Sequence, residues 1–210
     1  RPSHFCRTAN NDFVINQTRQ QVSRAIPSER TMVTVSENHL HYAEEVLRDL
    51  PSKNIIVEPQ DDGTTFAVLH SAFRVREIDP NAIVVFFPPD LSVPDPRGFM
   101  TRVQDAIEAI QRQPKLTLIG IEPSAPDTDR EWIKPDLSIP IHEDLKIWPV
   151  QGLRDPVSQS DARELIKDGG LWNSGVMVGT ISTFLRKIRR TEPVIYAAFK
   201  AAAQRFGMPD

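Results

Sequence analysis

Residues 82–87 constrain the fold of this chain more than any other segment. They form an unbroken apolar run, Ala-Ile-Val-Val-Phe-Phe, which is followed directly by Pro88 and Pro89. Such a run is typical of a strand buried on both faces, as in the centre of a parallel sheet. The two prolines lack the N–H groups of a sheet ladder, so strand pairing should stop there. A sheet covered on both faces needs helices as its cover, and the run therefore predicts an α/β fold.

Other short apolar runs alternate along the chain with stretches whose apolar residues recur every three or four positions. The short runs predict further strands at residues 31–35, 54–57, 116–121, 146–150 and 175–178. The periodic stretches predict helices at residues 38–50, 64–78, 95–112, 158–167 and 182–190. Residues 122–144 are rich in proline and aspartate, which favours a loop. We expect one domain over residues 1–210, with an open, mostly parallel sheet and helices on both faces.

Charge and composition exclude several classes of protein. A net charge of −3 offers no basic excess for nucleic acid, and the basic run at residues 186–190 fits one wet face of a helix. Cys6 is the single cysteine, so no internal disulfide can form and a reducing compartment is expected. No stretch of 18 apolar residues and no secretory leader are evident, which predicts a cytoplasmic protein without a membrane partner. The oligomeric state is left open, a homo-oligomer included.

Four polar segments follow predicted strands, at residues 58–65, 88–91, 120–128 and 171–175. Ligands of open α/β sheets bind beyond the carboxyl ends of the strands, which is where these segments lie. The amides at the start of the helix near Thr64 suit an anion, and Asp90 is a natural Mg²⁺ ligand beside phosphates. Each segment alone is explained equally well by an ordinary turn or helix cap.

Residues 169–175, Gly-Gly-Leu-Trp-Asn-Ser-Gly, join a helix end to the last of these segments. Glycine takes the left-handed conformation of a helix C-terminus without a Cβ penalty, so Gly169 and Gly170 predict the helix stop. Trp172 should anchor apolar packing. The side-chain amide of Asn173 can both donate and accept, which suits a sugar hydroxyl. A helix stop followed by a plain β-turn is the alternative interpretation.

The order of these segments resembles that of the nucleotidyltransferases that make nucleotide sugars, above all the mannose-1-phosphate guanylyltransferases. Residues 1–5, Arg-Pro-Ser-His-Phe, match Arg-Pro-Lys-Gln-Phe of the family, and Glu58-Pro59 with residues 63–67 match its Glu-Pro turn and Asn-Thr-Ala-Pro-Ala. Residues 88–91 match a Pro-Ser-Asp-His strand end, and residues 120–128 match Gly-Ile-x-Pro-Thr-x-Pro-Glu-Thr. The string Leu-Trp-Asn-Ser-Gly is intact at residues 171–175.

The resemblance implies a Rossmann-like three-layer α/β/α nucleotidyltransferase domain. Its reaction joins a hexose 1-phosphate, such as mannose 1-phosphate, to the α-phosphate of a nucleoside triphosphate, such as GTP, and releases pyrophosphate. By this resemblance Asp90 is the catalytic residue and holds Mg²⁺. The residues implied to contact the nucleotide are Pro59, Gly63, Thr64 and Asp90. Those implied to bind the sugar phosphate are Glu131, Arg154, Asp155 and Asn173.

This sequence departs from the family where the family contacts its substrates. Ser3 replaces a lysine, Asp62 an arginine and Leu91 a histidine. Residues 130–132, Arg-Glu-Trp, replace a Tyr-Gly-Tyr segment, and residues 154–156, Arg-Asp-Pro, replace Glu-Lys-Pro. Acidic side chains beside a polyanionic substrate repel it, by about 1 kcal/mol for each surface contact and by more when desolvated.

Two hypotheses therefore stand. In the first, the protein is a divergent guanylyltransferase-like enzyme. In the second, it is a catalytically degenerate relative that binds a nucleotide sugar or a partner subunit. A generic Rossmann-like binding module is a third interpretation, against which the missing dinucleotide glycine pattern counts. The Gly-rich phosphate loop and first strand of the family are expected upstream of Arg1.

Overall fold

The computed structural model describes residues 2–59 and 63–205, with side chains as far as residue 201. Its helices are α1 (Val14–Val22), α2 (Leu40–Val46), α3 (Thr64–Ile78), α4 (Pro96–Arg112), α5 (Gln159–Lys167), α6 (Ile181–Thr191) and α7 (Pro193–Arg205). Its strands are β1 (Val33–Ser36), β2 (Ile55–Glu58), β3 (Ile83–Phe86), β4 (Thr117–Ile121), β5 (Trp132–Pro135), β6 (Val150–Arg154) and β7 (Leu171–Thr180). This mixture of helices and strands confirms the predicted α/β class.

The chain divides into two compact units. The first unit holds Arg1–Val84, Pro89–Ser92 and Gly179–Asp210, and the second unit holds Val85–Pro88 and Val93–Val178. The single domain over residues 1–210 stays a prediction.

The first unit contains a parallel strand pair. β1 and β2 run in register from Val33 opposite Ile55 to Ser36 opposite Glu58. A hydrogen bond of 2.7 Å between the hydroxyls of Thr34 and Ser71 links β1 to α3. A separate apolar cluster of this unit joins β1 to the amino-terminal segment and to α2, and consists of Phe5, Phe13, Ile15, Val35, Ala43, Val46, Leu47 and Leu50.

A second sheet has the strand order β3-β7-β5-β6, and β4 also pairs with β7. β7 is antiparallel to both β4 and β5, and β5 is antiparallel to β6. The prediction of a mostly parallel central sheet is therefore wrong for these pairs. Antiparallel neighbours need no helical crossover, and β5 and β6 are joined by residues 136–149 without one.

Most predicted elements lie where the sequence placed them, including α3 over its full length and α4 to within one residue. The predicted loop at residues 122–144 is wrong in one place, because β5 lies within it. The predicted strand at residues 146–150 is also wrong. The backbone turns at Lys146, where φ is 55°, and β6 begins only at Val150.

The predicted helix stop after α5 is confirmed in detail. Gly169 has a φ of 75°, and its N–H donates to the carbonyl of Ile166 at 3.1 Å. The N–H of Gly170 donates to the carbonyl of Leu165 at 2.8 Å. This pair of bonds is the Schellman arrangement, which satisfies the last carbonyls of the helix and turns the chain directly into β7.

No helix within the described residues combines the length and the apolar character that crossing a membrane requires.

His70 of α3 should make the stability of the protein depend on pH. Burial lowers its pKa below the ordinary value of 6.5, and the neighbouring charge of Arg74 lowers it further, against an opposing effect of Glu77. Protonation therefore favours the unfolded chain. We expect the free energy of unfolding to be largest above about pH 6.5 and to fall as the pH drops through the folded-state pKa.

Denaturant unfolding on either side of about pH 6.5 measures this effect. His70→Gln should reduce the slope of stability against pH, whereas the same change at exposed His41 should leave it unaltered. An equal slope in the wild type and in His70→Gln would contradict the assignment.

Candidate functional site

Ser36 and Glu58 lie side by side where β1 and β2 end in the first unit. Both are buried, with exposed fractions of 7% and 9%. The Ser36 hydroxyl has no hydrogen-bond partner among the described residues. A buried polar group without a partner costs about 1–3 kcal/mol, so this position is suited to a ligand or an ordered water. Ser36 was not identified from the sequence, although it directly follows the strand predicted at residues 31–35.

The turn from β2 to α3 contains the residues implied to contact a nucleotide. Pro59 is exposed directly after β2, and Gly63 precedes α3 with a φ of 91° that favours glycine. Thr64 is the first residue of the helix. The first amides of a helix have no intrahelical partner and lie at the positive end of its dipole, which favours an anion. Residue Asp62, a departure from the family, lies outside the described residues.

Asp90 lies in the turn that follows β3 and is exposed. The hydroxyl of Thr18 in α1 donates to the carbonyl of Pro89 at 3.1 Å, which ties down the backbone beside Asp90. Leu91 on the other side is only 7% exposed, so the residue that replaces the histidine of the family serves as an apolar anchor. Thr18 was not identified from the sequence.

Asp90 is a single carboxylate, and a magnesium ion held there stays a prediction. No cluster of three or more His, Cys, Asp or Glu side chains able to hold a metal occurs within residues 2–59 and 63–205. Mg²⁺ in phosphate sites is commonly held by one or two carboxylates together with substrate oxygens and water. A single exposed carboxylate on a fixed backbone meets that requirement.

The residues implied to bind a sugar phosphate are brought together at one edge of the second unit. Trp132 of β5 lies opposite Arg154 of β6 on one side and opposite Trp172 of β7 on the other. Their sequence neighbours Glu131, Asp155 and Asn173 are therefore adjacent across the three strands, on the opposite face of the sheet from the Arg154 side chain. The backbone N–H of Asn173 donates to the carbonyl of Glu131 at 2.9 Å, which confirms the contact between the two segments.

The side-chain amide of Asn173 is held at both ends. Its Nδ2 donates to the Glu131 carboxylate, and its Oδ1 accepts from the N–H of Gly175 at 3.0 Å. Ser174 fixes the next position, since its hydroxyl donates to the carbonyl of Ile119 in β4 at 2.6 Å. A sugar hydroxyl that accepts from the amide nitrogen of Asn173 must share that donor with the Glu131 carboxylate or displace the carboxylate.

Two tryptophans form the wall beneath this edge. The rings of Trp132 and Trp172 meet edge to face with centroids 6.1 Å apart, and they are 0% and 9% exposed. The indole N–H of Trp132 donates to the carbonyl of Asp127 at 3.0 Å. The guanidinium carbon of Arg130 lies 4.8 Å from the ring centroid of Trp172. The predicted role of Trp172 as an apolar anchor is confirmed by its place in this cluster.

The charges along this edge are mixed. Glu131 and Asp155 are exposed acids, and Arg130 is paired with the carboxylate of Asp127 at 3.1 Å. Arg154 is exposed and donates to the carbonyl of its own neighbour Leu153 at 3.0 Å. A phosphate contact of Arg154 therefore stays a prediction. Asp90 belongs to the first unit and these residues to the second, so a shared pocket for both substrates stays a prediction.

The fold is that of an α/β protein, and comparison with solved structures agrees. The chain superposes on the crystal structure of mannose-1-phosphate geranyltransferase from Thermus thermophilus with a TM-score of 0.84 and 21% identity. The alignment covers 96% of this chain and 57% of that one. The likeness establishes the fold.

Several curated proteins are similar in sequence to this chain. Mannose-1-phosphate guanylyltransferase 2 of Escherichia coli O157:H7 is 25% identical over 203 residues, which cover 93% of this chain and 42% of that protein. Alginate biosynthesis protein AlgA of Pseudomonas aeruginosa is 24% identical over 207 residues, which cover 97% of this chain and 42% of that protein. The predicted resemblance to mannose-1-phosphate guanylyltransferases is thus confirmed. No protein-family model matches the chain. The chain spans about two fifths of the length of these relatives.

Proposed function

We propose that the protein is a nucleotidyltransferase that transfers a nucleoside monophosphate from a triphosphate, with GTP as the first choice, to a hexose 1-phosphate of the mannose 1-phosphate type. One observation supports the proposal: the side-chain hydrogen bond between Asn173 and Glu131 joins two segments that the resemblance implies for the sugar phosphate. The names of the curated relatives support the choice of sugar phosphate.

The nucleotide is assigned to the first unit. The amides at the start of α3 suit the phosphates, and Gly63 takes the positive φ of 91° through which the chain enters the helix. The buried hydroxyl of Ser36, which has no hydrogen-bond partner among the described residues, lies at the adjacent strand end and suits the polar edge of a base.

The proposed reaction needs positioning more than covalent chemistry. A phosphate oxygen of the sugar phosphate attacks the α-phosphorus of the triphosphate, and the bond from that phosphorus to the bridging oxygen breaks. Pyrophosphate leaves with the electron pair of that bond. The fixed amide of Asn173 orients the hexose. Asp90 would hold Mg²⁺, which when bound neutralises charge on the triphosphate.

Pyrophosphate release tests the proposal. The purified protein with GTP, Mg²⁺ and mannose 1-phosphate should release pyrophosphate only when both substrates are present. The substrate preference follows from the same assay with ATP, UTP or CTP in place of GTP, each combined with mannose 1-phosphate or glucose 1-phosphate. Absence of turnover with every pair would contradict the catalytic proposal.

The hydrogen bond between Glu131 and Asn173 favours a second candidate function, a non-catalytic binder of nucleotide sugars. A carboxylate accepts hydrogen bonds from hydroxyls, whereas it repels a phosphate. In that case GDP-mannose should bind with a measurable Kd while pyrophosphate release stays at the background rate. Calorimetry of GDP-mannose binding, performed beside the release assay, separates the two functions.

Glu131→Gln should strengthen the binding of mannose 1-phosphate about fivefold, because it removes a like-charge contact worth about 1 kcal/mol. Glutamine keeps the size of the side chain and an oxygen that can accept from Asn173. Asp129→Asn is the matched control, since it removes the same charge from an exposed position two residues away and should leave the Kd unchanged. Equal effects of the two variants would assign the gain to net charge alone.

A further inference from the structure

A groove in the first unit is lined by three arginines from two helices. Arg76 comes from α3, and Arg186 and Arg189 come from α6. The groove has a volume of about 290 Å³, and no carboxylate of the described residues lines it. Three guanidinium groups around a space of this size form a positively charged cavity, even though the chain as a whole carries a net charge of −3.

The arginines of α6 share one face of that helix. Ser182, Arg186 and Arg189 follow each other at spacings of four and three, which brings their side chains to the same side. Like charges at these spacings destabilise a helix by a few tenths of a kcal/mol. Lys187 and Arg190 do not line the groove. The positive charge that α6 contributes to the groove therefore comes from one face of that helix, and the rest of the basic run at residues 186–190 does not contribute to it.

The guanidinium groups of Arg186 and Arg189 retain donors for a ligand. Arg186 uses its Nη2 for one hydrogen bond, to the hydroxyl of Thr183 at 3.2 Å, which holds the side chain in place. Arg189 has neither a hydrogen bond nor an ion pair within the described part of the chain. The guanidinium carbon of Arg76 lies 4.7 Å from the ring centroid of Phe73, which positions it by a cation–π contact.

The rest of the lining is largely apolar. Ile181 and Leu185 are buried at its base, and Pro80 and Tyr196 complete the wall. An apolar floor with a few convergent charged groups is the usual composition of a small-molecule site. It favours an anion with an organic part over a simple inorganic ion.

The groove is distinct from the nucleotide turn proposed above. Thr64 is the first residue of α3, whereas Arg76 lies in its last turn. At about 1.5 Å of rise per residue, the two ends of the helix are about 18 Å apart. One phosphorylated ligand of the size that the groove admits cannot occupy both places.

We propose that this arginine groove is a second ligand site, which binds a small organic phosphate. The forked guanidinium group matches the geometry of phosphate oxygens and binds them by paired, charge-assisted hydrogen bonds. Arg186 and Arg189 take the phosphate, and the half-buried ring of Tyr196 covers the organic part. The site does not depend on the nucleotidyl transfer proposed above.

Phenyl phosphate is a suitable probe, because it combines a dianion with a ring and is not a sugar phosphate. It should shift the Nε–Hε resonances of Arg186 and Arg189 in a saturable titration at constant ionic strength. Inorganic phosphate should bind the same resonances more weakly, since it leaves the apolar floor uncovered. The double variant Arg186→Gln/Arg189→Gln should weaken binding of phenyl phosphate by about tenfold or more.

Lys187→Gln/Arg190→Gln is the matched control, because it removes the same charge from the same helix outside the groove. It should leave the Kd for phenyl phosphate within a factor of about two. Shifts that rise linearly without saturation, or equal losses in the two double variants, would overturn the proposal. Saturation by a polyglutamate peptide but not by phenyl phosphate would also overturn it and would identify a docking surface for an acidic protein. Backbone amide spectra verify that each variant is folded.

Discussion

Replacing Trp132 by alanine should lower the free energy of unfolding of the second unit by about 3–5 kcal/mol. The side chain is 0% exposed and packs in one cluster with Ala162, Leu165 and Trp172. Its removal leaves a large cavity and deprives the carbonyl of Asp127 of its indole donor at 3.0 Å. Because β5 pairs with both β6 and β7 at Trp132, the loss should spread to the whole edge that carries Asn173.

Urea unfolding followed by circular dichroism, together with hydrogen exchange of the β5 and β7 amides, measures this loss. Trp148→Ala is the control, since Trp148 is only half-buried and lies outside the cluster. Its cost should be clearly smaller. If both variants lost the same stability, the cluster around Trp132 would not be the core of this unit.

Asp90→Asn should reduce pyrophosphate release by about a hundredfold or more, if the protein has the proposed activity. Asparagine keeps the size and one oxygen of the side chain but removes the negative charge that a magnesium ion requires. The exposed position and the fixed neighbours Pro89 and Leu91 make a general loss of folding unexpected. The KM for mannose 1-phosphate should change much less than kcat.

Asp79→Asn provides the matched control. Asp79 is an exposed carboxylate that precedes β3, whereas Asp90 follows it, so the two lie at opposite ends of the same strand. The side chain of Asp79 accepts from the N–H of Asn81 at 2.9 Å, a bond that asparagine can keep. Full activity of Asp90→Asn, or an equal loss in Asp79→Asn, would remove Asp90 from the active site.

The sequence predicted those elements whose pattern is encoded locally. α3 and α4 show regular apolar spacing, and α4 also has the capping Asp95 followed by Pro96, so their bounds could be predicted closely. β5 has only four residues and includes a lysine and a proline. Its strand conformation depends on pairing with β6 and β7, which no local pattern reveals.

The residues of the candidate site also differ in whether the sequence alone could identify them. Gly63, Asp90 and Asn173 could be identified because they belong to segments with a recognisable order along the chain. The bond between Glu131 and Asn173 joins positions 42 residues apart, and Ser36 is an ordinary serine until its burial is known. Contacts of this kind arise from the fold and cannot be deduced from one sequence.

The bond from Thr18 to Pro89 spans 71 residues and ties a helix with no reactive group to the main chain beside an exposed acid. Proline has no N–H, so a carbonyl contact is one of the few polar restraints that such a turn can receive. Substitutions on the inner face of α1 would therefore act at a distance, by changing how firmly that acid is held. If Asp90 has the role proposed above, a substitution in this amino-terminal helix would alter turnover without changing the acid itself.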